Sequence, residues 1–327
     1  MYSHYMPPIN TASITGPVPT EDDLRQLFEQ VSNWGRWGDA DERGTLNHLT
    51  AEHRRAAAGL VVDGTPVSLA HDLGLRPSPE NPYPAQHHML AAGDARDATG
   101  VPGYEAARDY VGAHVHGLGV THVDALCHMF VDGRMYNGVP AAEVRSDGAR
   151  RNSVMALADG VSGRGVLLDV AAGRGVDHLA PGDHVTVADL EAAEHRAGVT
   201  VGAGDLLLVS TGRDAWRRSA GGTLAPAADG MAGLHPACIP WLHDRRVAVL
   251  GSDGISDPMP GLGVPGWPFP VHQIGITAMG LHLVDNMALG ELSARCAAAG
   301  RWAFLLTVAP LRIEGGTGCP VNPIALF

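Results

Sequence analysis

The apolar residues Leu24, Leu27, Phe28 and Val31 recur at helical spacing between Glu21 and Val31, and Thr20 stands before them as an N-cap. A second helix is expected over Ala51–Leu60, opened by Thr50, before Val61–Leu69 turns to strand-like composition. Residues 73–107 lose periodicity and are rich in Pro, Gly, Asn and Ala, as long ordered loops or a lid would be. From Tyr110 the chain alternates and is expected to be extended up to Asp124. Further strands are expected at Gly165–Val170, Asp205–Thr211, Val247–Gly251 and Phe304–Val308, and helices at Val187–Ala197 and Ala288–Ala298. The alternation has neither a regular βαβ spacing nor an internal repeat, which argues against a Rossmann fold. No composition shift marks a linker. The expected organisation is an N-terminal arm and helix over residues 1–32 and a single domain over 33–327.

Composition narrows the class. Of 327 residues, 45% are hydrophobic and 18% charged, as in a globular α/β protein with a sizeable core. Lys and Arg number 23 against 35 Asp and Glu, which argues against a nucleic-acid partner. The pairs Arg54-Arg55, Arg150-Arg151 and Arg217-Arg218 are too short for a phosphate-binding patch. No segment reads as a signal peptide or a membrane span, so no membrane partner and a cytoplasmic location are expected. Cys127, Cys238, Cys296 and Cys319 show no CxxC spacing and read as reduced thiols. With 42 glycines and 23 prolines, much of the chain must be turns and loops.

The candidate chemistry is concentrated between His114 and His128. If Val120–Asp124 is extended, His122 and Asp124 project to the same side. If Ala125–Phe130 then turns helical, His128 shares a face with Asp124. One strand-to-helix corner could thus aim His122, Asp124 and His128 at a common point. Imidazole and carboxylate are the usual ligands of catalytic zinc and of related divalent metals. A neighbouring histidine outside such a shell suits general acid/base work. On spacing alone, hydrogen-bonded core histidines are an equally good reading, since the chain has 17 histidines.

Thr121-His122-Val123-Asp124-Ala125, followed by His128, resembles the signature of the cyclase family that includes bacterial kynurenine formamidases and isatin hydrolases. Asn33–Gly38, Asp41–Gly44, Met135–Gly138 and Gly316–Pro323 are similar to marks of its longer branch, as are Gly165–Val170, Gly204–Gly212, Gly233–Asp253 and His272–Asn286. The resemblance implies a swivelling β/β/α fold with a central mixed sheet, long loops and a homodimeric or homotetrameric assembly. It implies one divalent metal, Zn²⁺ or Mn²⁺, with His122 and Asp124 as ligands and His128 as a catalytic or ligand histidine. His272 and Asp285 match the family's distal histidine and acidic residue. Asp285 is shorter than the glutamate of kynurenine formamidases, which weakens the case for a second metal. The expected activity is metal-dependent hydrolysis of an amide or ester of a small aromatic molecule. The alternatives are a cyclase, dehydratase or isomerase using the same pocket, or a ligand-binding protein without catalysis.

This sequence departs from the family pattern. Leu118 stands where the first metal histidine belongs, Val120 replaces a glycine and Leu126 a proline. His116 lies two residues earlier and could replace the ligand if Gly117 and Gly119 allow a backbone detour. Otherwise His272 or Asp285 completes the shell. Trp34, Arg36, Trp37, Tyr136 and Asn137 are candidate substrate contacts, with packing an equal reading for the tryptophans. Gly261-x-Gly263-x-x-Gly266 contains Pro265 and reads as a turn. Ser252 lacks the preceding glycine of a nucleophile elbow, and Asp253 reads as the end of a strand. Cys127 beside His128 does not make a Cys–His pair, because adjacent residues diverge. The detour predicts that His116→Ala loses substantial metal affinity while Leu118→Ala loses little; unchanged affinity in His116→Ala would exclude it.

Overall fold

Leu206, Leu207, Leu208 and Val209 are buried with no polar residue between them, the composition of a strand covered on both faces. Around this segment the computed structural model, which describes residues 18–94 and 100–327, forms a nine-stranded sheet. The expected arm ahead of Val18 lies outside the described residues. The first strands are β1 (Pro66–Ser68), β2 (Gln86–Ala91), β3 (Arg108–Gly112), β4 (His122–Asp124), β5 (Val144–Arg145), β6 (Gly148–Ala149) and β7 (Val161–Asp169). Then come β8 (His184–Val185), β9 (Leu206–Ser210), β10 (Gly233–Leu234), β11 (Val249–Ser252) and β12 (His282–Asp285). The last are β13 (Ala303–Val308), β14 (Gly318–Pro320) and β15 (Ile324–Leu326). The helices are α1 (Glu21–Gln30), α2 (Ala51–Ala58), α3 (Val170–Gly173), α4 (Val187–Ala197) and α5 (Arg213–Ser219). They continue with α6 (Pro226–Asp229), α7 (Cys238–Asp244), α8 (Pro270–Ile274) and α9 (Gly290–Ala299).

The sheet order is β1-β15-β13-β7-β9-β11-β12-β4-β14. Its middle strands β7, β9, β11 and β12 are parallel, whereas β4 and β14 on one side and β13, β15 and β1 on the other pair antiparallel. This is the mixed α/β sheet the resemblance implied. Successive strand residues enter opposite cores: Val166, Leu168, Leu207, Val209 and Leu283 one, Leu167, Leu206, Leu208 and Val284 the other. Leu24 of α1, Val31 just after it, and Val271 and Ile274 of α8 join the first. Val123 joins the second, so His122 and Asp124 face the first.

Thr20 and Thr50 cap α1 and α2 as expected, each closing a capping box with the residue three positions on. Other expectations are corrected. Tyr110–Asp124 is not one strand, since β3 ends at Gly112 and pairs only with β2, while residues 116–120 bend. The reason is local: histidines and glycines follow Gly112, and among the described residues no neighbouring strand takes up their backbone. The stretch 73–107 contains β2, which is exposed over most of its length and so lacks an apolar alternation to reveal it. Ala125–Phe130 is a turn rather than a helix. His128 N–H donates to the Ala125 carbonyl at 2.9 Å, but Cys127 N–H donates to the Asn152 carbonyl at 3.0 Å instead of continuing a helical ladder. All four cysteines are unpaired and buried. Among the described residues no helix is long and apolar enough to cross a membrane.

Gly165 sits in the middle of β7, opposite Phe304. A Cβ there would run into the Phe304 ring and lie 2.8 Å from Leu306 Cβ. Gly165→Ala is therefore expected to destabilise the fold by about 1–3 kcal/mol through overpacking, despite alanine's lower backbone entropy cost. Urea unfolding measures this; equal or greater stability would contradict the packing described.

Candidate metal centre

The alternation of a strand places His122 and Asp124 on one face of β4, and register adds the rest. Asp285 at the end of β12 lies directly opposite His122. Gly318 of β14 lies opposite Asp124, and a Cβ on it would come within 2.9 Å of His116 Cε1, so the missing side chain makes room for that ring. The chain bends at 116–120 with Gly117 at φ +154°, and this detour carries His116 back over β4. The Leu118 carbonyl accepts from Arg213 Nη2 at 2.7 Å.

Asp124 is the centre of the cluster, with 1% of its surface exposed. Its Oδ1 lies 2.9 Å from His116 Nδ1 and 3.4 Å from His122 Nε2, and its Oδ2 lies 3.5 Å from His272 Nε2. Yet neither oxygen, nor His116 Nδ1, has a properly directed hydrogen bond. Each ring is anchored by its other nitrogen. His122 Nδ1 sits 2.8 Å from the Val120 carbonyl, which can only accept, so Nδ1 carries a proton and Nε2 is the nitrogen left facing Asp124. His116 Nε2 is 3.0 Å from the Thr317 hydroxyl. His272 Nδ1 is 2.7 Å from Asp257 Oδ2 and its Nε2 3.1 Å from Asp285 Oδ2.

A buried carboxylate facing these nitrogens calls for positive charge beside it, as protons on the rings or as a metal. His116, His122 and Asp124 bring one donor atom each within 4.8 Å of one another, and Asp124, His272 and Asp285 form a second such group. Nitrogen and carboxylate oxygen are fitting donors for zinc or manganese, and the unsatisfied Asp124 oxygens and His116 Nδ1 are the atoms that would coordinate. Burial works against ionising Asp124, but the imidazoles gathered around it outweigh this and hold its carboxyl well below the usual range. Burial likewise opposes a charge on His272, and is outweighed by Asp285 and Asp257, which raise its pKa well above the ordinary value.

His128 lies outside this shell, its ring stacked on His116 with centroids 3.6 Å apart and planes 4° from parallel. Burial, against the pull of Asp124 and aided by three neighbouring histidines, pushes its pKa down to about 4, so the ring is neutral at pH 7 and able to accept a proton. The sequence had placed His128 by a helix that does not form; the turn brings it here instead.

The candidate substrate residues are engaged in scaffolding. Tyr136 is buried and donates to Asp41 Oδ2 at 2.9 Å. Asn137 accepts from Gly35 N–H at 2.7 Å and donates to the Gly38 and Asp41 carbonyls. Trp34 Nε1 donates to the Thr277 carbonyl at 2.7 Å, Arg36 to Asn33 Oδ1 at 2.8 Å, and Trp37 lies edge-on to His48. Ser252 is spent on the Gly254 carbonyl and Ser256, and Asp253 caps α5 through the N–H groups of Thr211, Gly212 and Arg213. The Cys127 thiol is pushed up to about 12 by burial and is no nucleophile. Asp257, Ser256 and Arg213 escaped the sequence reading. Each is an isolated residue of common type, and no spacing announces it.

With this geometry, comparison with known proteins is informative. The family model described as Putative cyclase matches residues 67–257, more than half of the chain, and the chain belongs to that family. The match takes in His116–His128 but not His272 or Asp285. A solved structure described as a novel cyclase superposes with a TM-score of 0.81 at 32% identity, covering 91% of this chain and 100% of that one. An isatin hydrolase bound to the product analogue thioisatinate gives 0.57 at 21% identity, covering 85% and 99%. Isatin hydrolase A from Ralstonia solanacearum gives 0.56 at 24%, covering 83% and 93%; these two likenesses speak for the fold. No curated protein matches the chain significantly. The protein is a cyclase-family enzyme with a His/Asp cluster of metal-site type.

Asp257 orients His272 by accepting both from its ring and from its backbone N–H at 2.9 Å. In proton NMR the short Nδ1–H bond should give a far-downfield resonance that disappears in Asp257→Asn. A resonance unaffected by the substitution would refute this orientation.

Proposed function

We propose that the protein is a metal-dependent hydrolase that opens an amide or ester bond, in a ring or an acyl link, of a small aromatic molecule. The observation that carries this is the convergence of His116, His122 and Asp124, which bring one donor atom each within 4.8 Å of one another in a largely buried site where His116 Nδ1 and both Asp124 oxygens lack a directed hydrogen bond. A divalent metal, Zn²⁺ or Mn²⁺, would supply there a Lewis acid that polarises a carbonyl and acidifies water. His116 Nδ1, His122 Nε2 and Asp124 would hold it. One metal suffices, because both nitrogens of His272 already have carboxylate partners, whereas His116 and His122 each keep one nitrogen for coordination. His272 and Asp285 would flank the site as a proton-holding pair, steadied by Asp257 and by Ser256, which donates to Asp285 Oδ1 at 3.1 Å.

Neutral His128 is placed to accept a proton as water adds to the carbonyl carbon, and to return it to the leaving nitrogen or oxygen when the bond breaks. The isatin hydrolases sharing the fold are named for a substrate with such an amide in a ring fused to an aromatic, and this supports that substrate class.

Protein purified without chelator should contain about one equivalent of Zn or Mn, and hydrolyse isatin or a related cyclic amide in a chelator-sensitive manner. His128→Ala should retain the metal and lose about 10²- to 10⁴-fold in turnover. Substoichiometric metal with chelator-indifferent activity would contradict the proposal. Loss of metal in His128→Ala would make His128 a ligand and move the base to His272.

A further inference from the structure

Among the described residues no strand pairs with the segment bearing His116, so its carbonyls must be satisfied in another way. Two side chains do so. Asn286 Nδ2 donates to the Gly117 carbonyl at 2.7 Å and to the Val120 carbonyl at 3.3 Å, while Arg213 Nη2 donates to the Leu118 carbonyl at 2.7 Å. The two are joined, since Arg213 Nη1 donates to Asn286 Oδ1 at 2.6 Å. Arg213 Nη1 also donates to the Asp253 carbonyl at 3.0 Å, and Nη2 to Glu80 Oε2 at 3.1 Å. A side chain with 1% exposure thus links four segments: the loop of His116 and His122, the residue after Asp285, the turn leading from β11 to Ser256 and Asp257, and the loop of Glu80.

Burying a guanidinium is costly, and an apolar residue of similar size would satisfy packing alone. What the planar fork adds is direction, because it can donate to several fixed acceptors at once. We infer that Arg213 is a positioning residue for the metal centre, clamping the Leu118 carbonyl so that the glycine-flanked detour keeps His116 Nδ1 over Asp124. This rests on the metal reading above. It also explains a site in which the displaced ligand position is kept by its backbone. Leu118 serves through its carbonyl, and Arg213 is the group that reads it. Glu80 supplies the countercharge and is itself braced by Arg217 Nη2 at 2.9 Å.

The test uses the full-length protein and Co²⁺ as probe, with affinity from titration and coordination from the visible d–d bands. Arg213→Lys should weaken Co²⁺ about 10- to 100-fold, as removal of a supporting contact around a metal typically does, and alter the bands as His116 is released. In a His116→Ala background the same substitution should add little further loss. Wild-type affinity and spectrum in folded Arg213→Lys, or equal losses in both backgrounds, would overturn the positioning role alone. Wild-type protein that binds no Co²⁺ would overturn the metal reading, and this inference with it. Should Arg213→Lys fail to fold, Glu80→Gln provides the second arm. It loosens the guanidinium without removing its bonds to the carbonyls, and should give a smaller loss with the same spectral trend. Unchanged Co²⁺ binding in Glu80→Gln would then overturn the inference.

Discussion

Asp124 is a buried carboxylate around which three imidazoles converge, and neither of its oxygens has a well-directed hydrogen bond. An unpaired charge in such a place would cost about 3–5 kcal/mol, so positive charge must stand beside it, as protons on the surrounding imidazoles or as a metal ion. The surrounding structure follows from that requirement. His122 turns Nδ1 to the Val120 carbonyl and leaves Nε2 facing Asp124. Two antiparallel partners, β12 and β14, fix the height of Asp285 and Gly318 against β4. Were β4 shifted by one residue, Val123 would face the site and both His122 and Asp124 would enter the opposite core.

The antiparallel pairing beside β12 also explains why the centre can be built from distant parts of the chain. The buried parallel strands supply a rigid wall of leucine and valine, and the polar residues sit just beyond its ends or on the short strand beside it. Asp253 and Asp257 follow β11, Asp285 closes β12, and Arg213 opens α5 after β9. Asp253 spends its oxygens on the start of α5, while Asp257 spends its own on α8 and His272. These carboxylates belong to the scaffold of the site, and the different partners of chemically alike groups set their different roles.

Much of this was legible in the sequence for a physical reason. Strand alternation alone puts His122 and Asp124 together, and the long apolar strands and the capped helices α1, α2 and α4 announce themselves by period and by threonine. The mixed sheet came through the resemblance rather than through periodicity, because β4, β12 and β14 are too short to show a period. His128 was assigned to the site through a helix the chain does not make, since Cys127 bonds to Asn152 and leaves the ladder incomplete. His116 was legible only as one of two possibilities, because what settles its position is Gly318 on a strand some two hundred residues away, together with Arg213 and Asn286. Tyr136 and Asn137 have pocket-like chemistry in sequence but hold the loop from Gly35 to Asp41 in the structure.

The central claim is that one divalent cation sits among His116, His122 and Asp124. Anomalous diffraction from crystals grown with Mn²⁺, recorded on both sides of the manganese edge, tests it most directly. The account predicts a single strong peak within coordination distance of His116 Nδ1, His122 Nε2 and Asp124. A peak confined to His272 and Asp285, or no peak at the cluster with Mn²⁺ in excess, would contradict it.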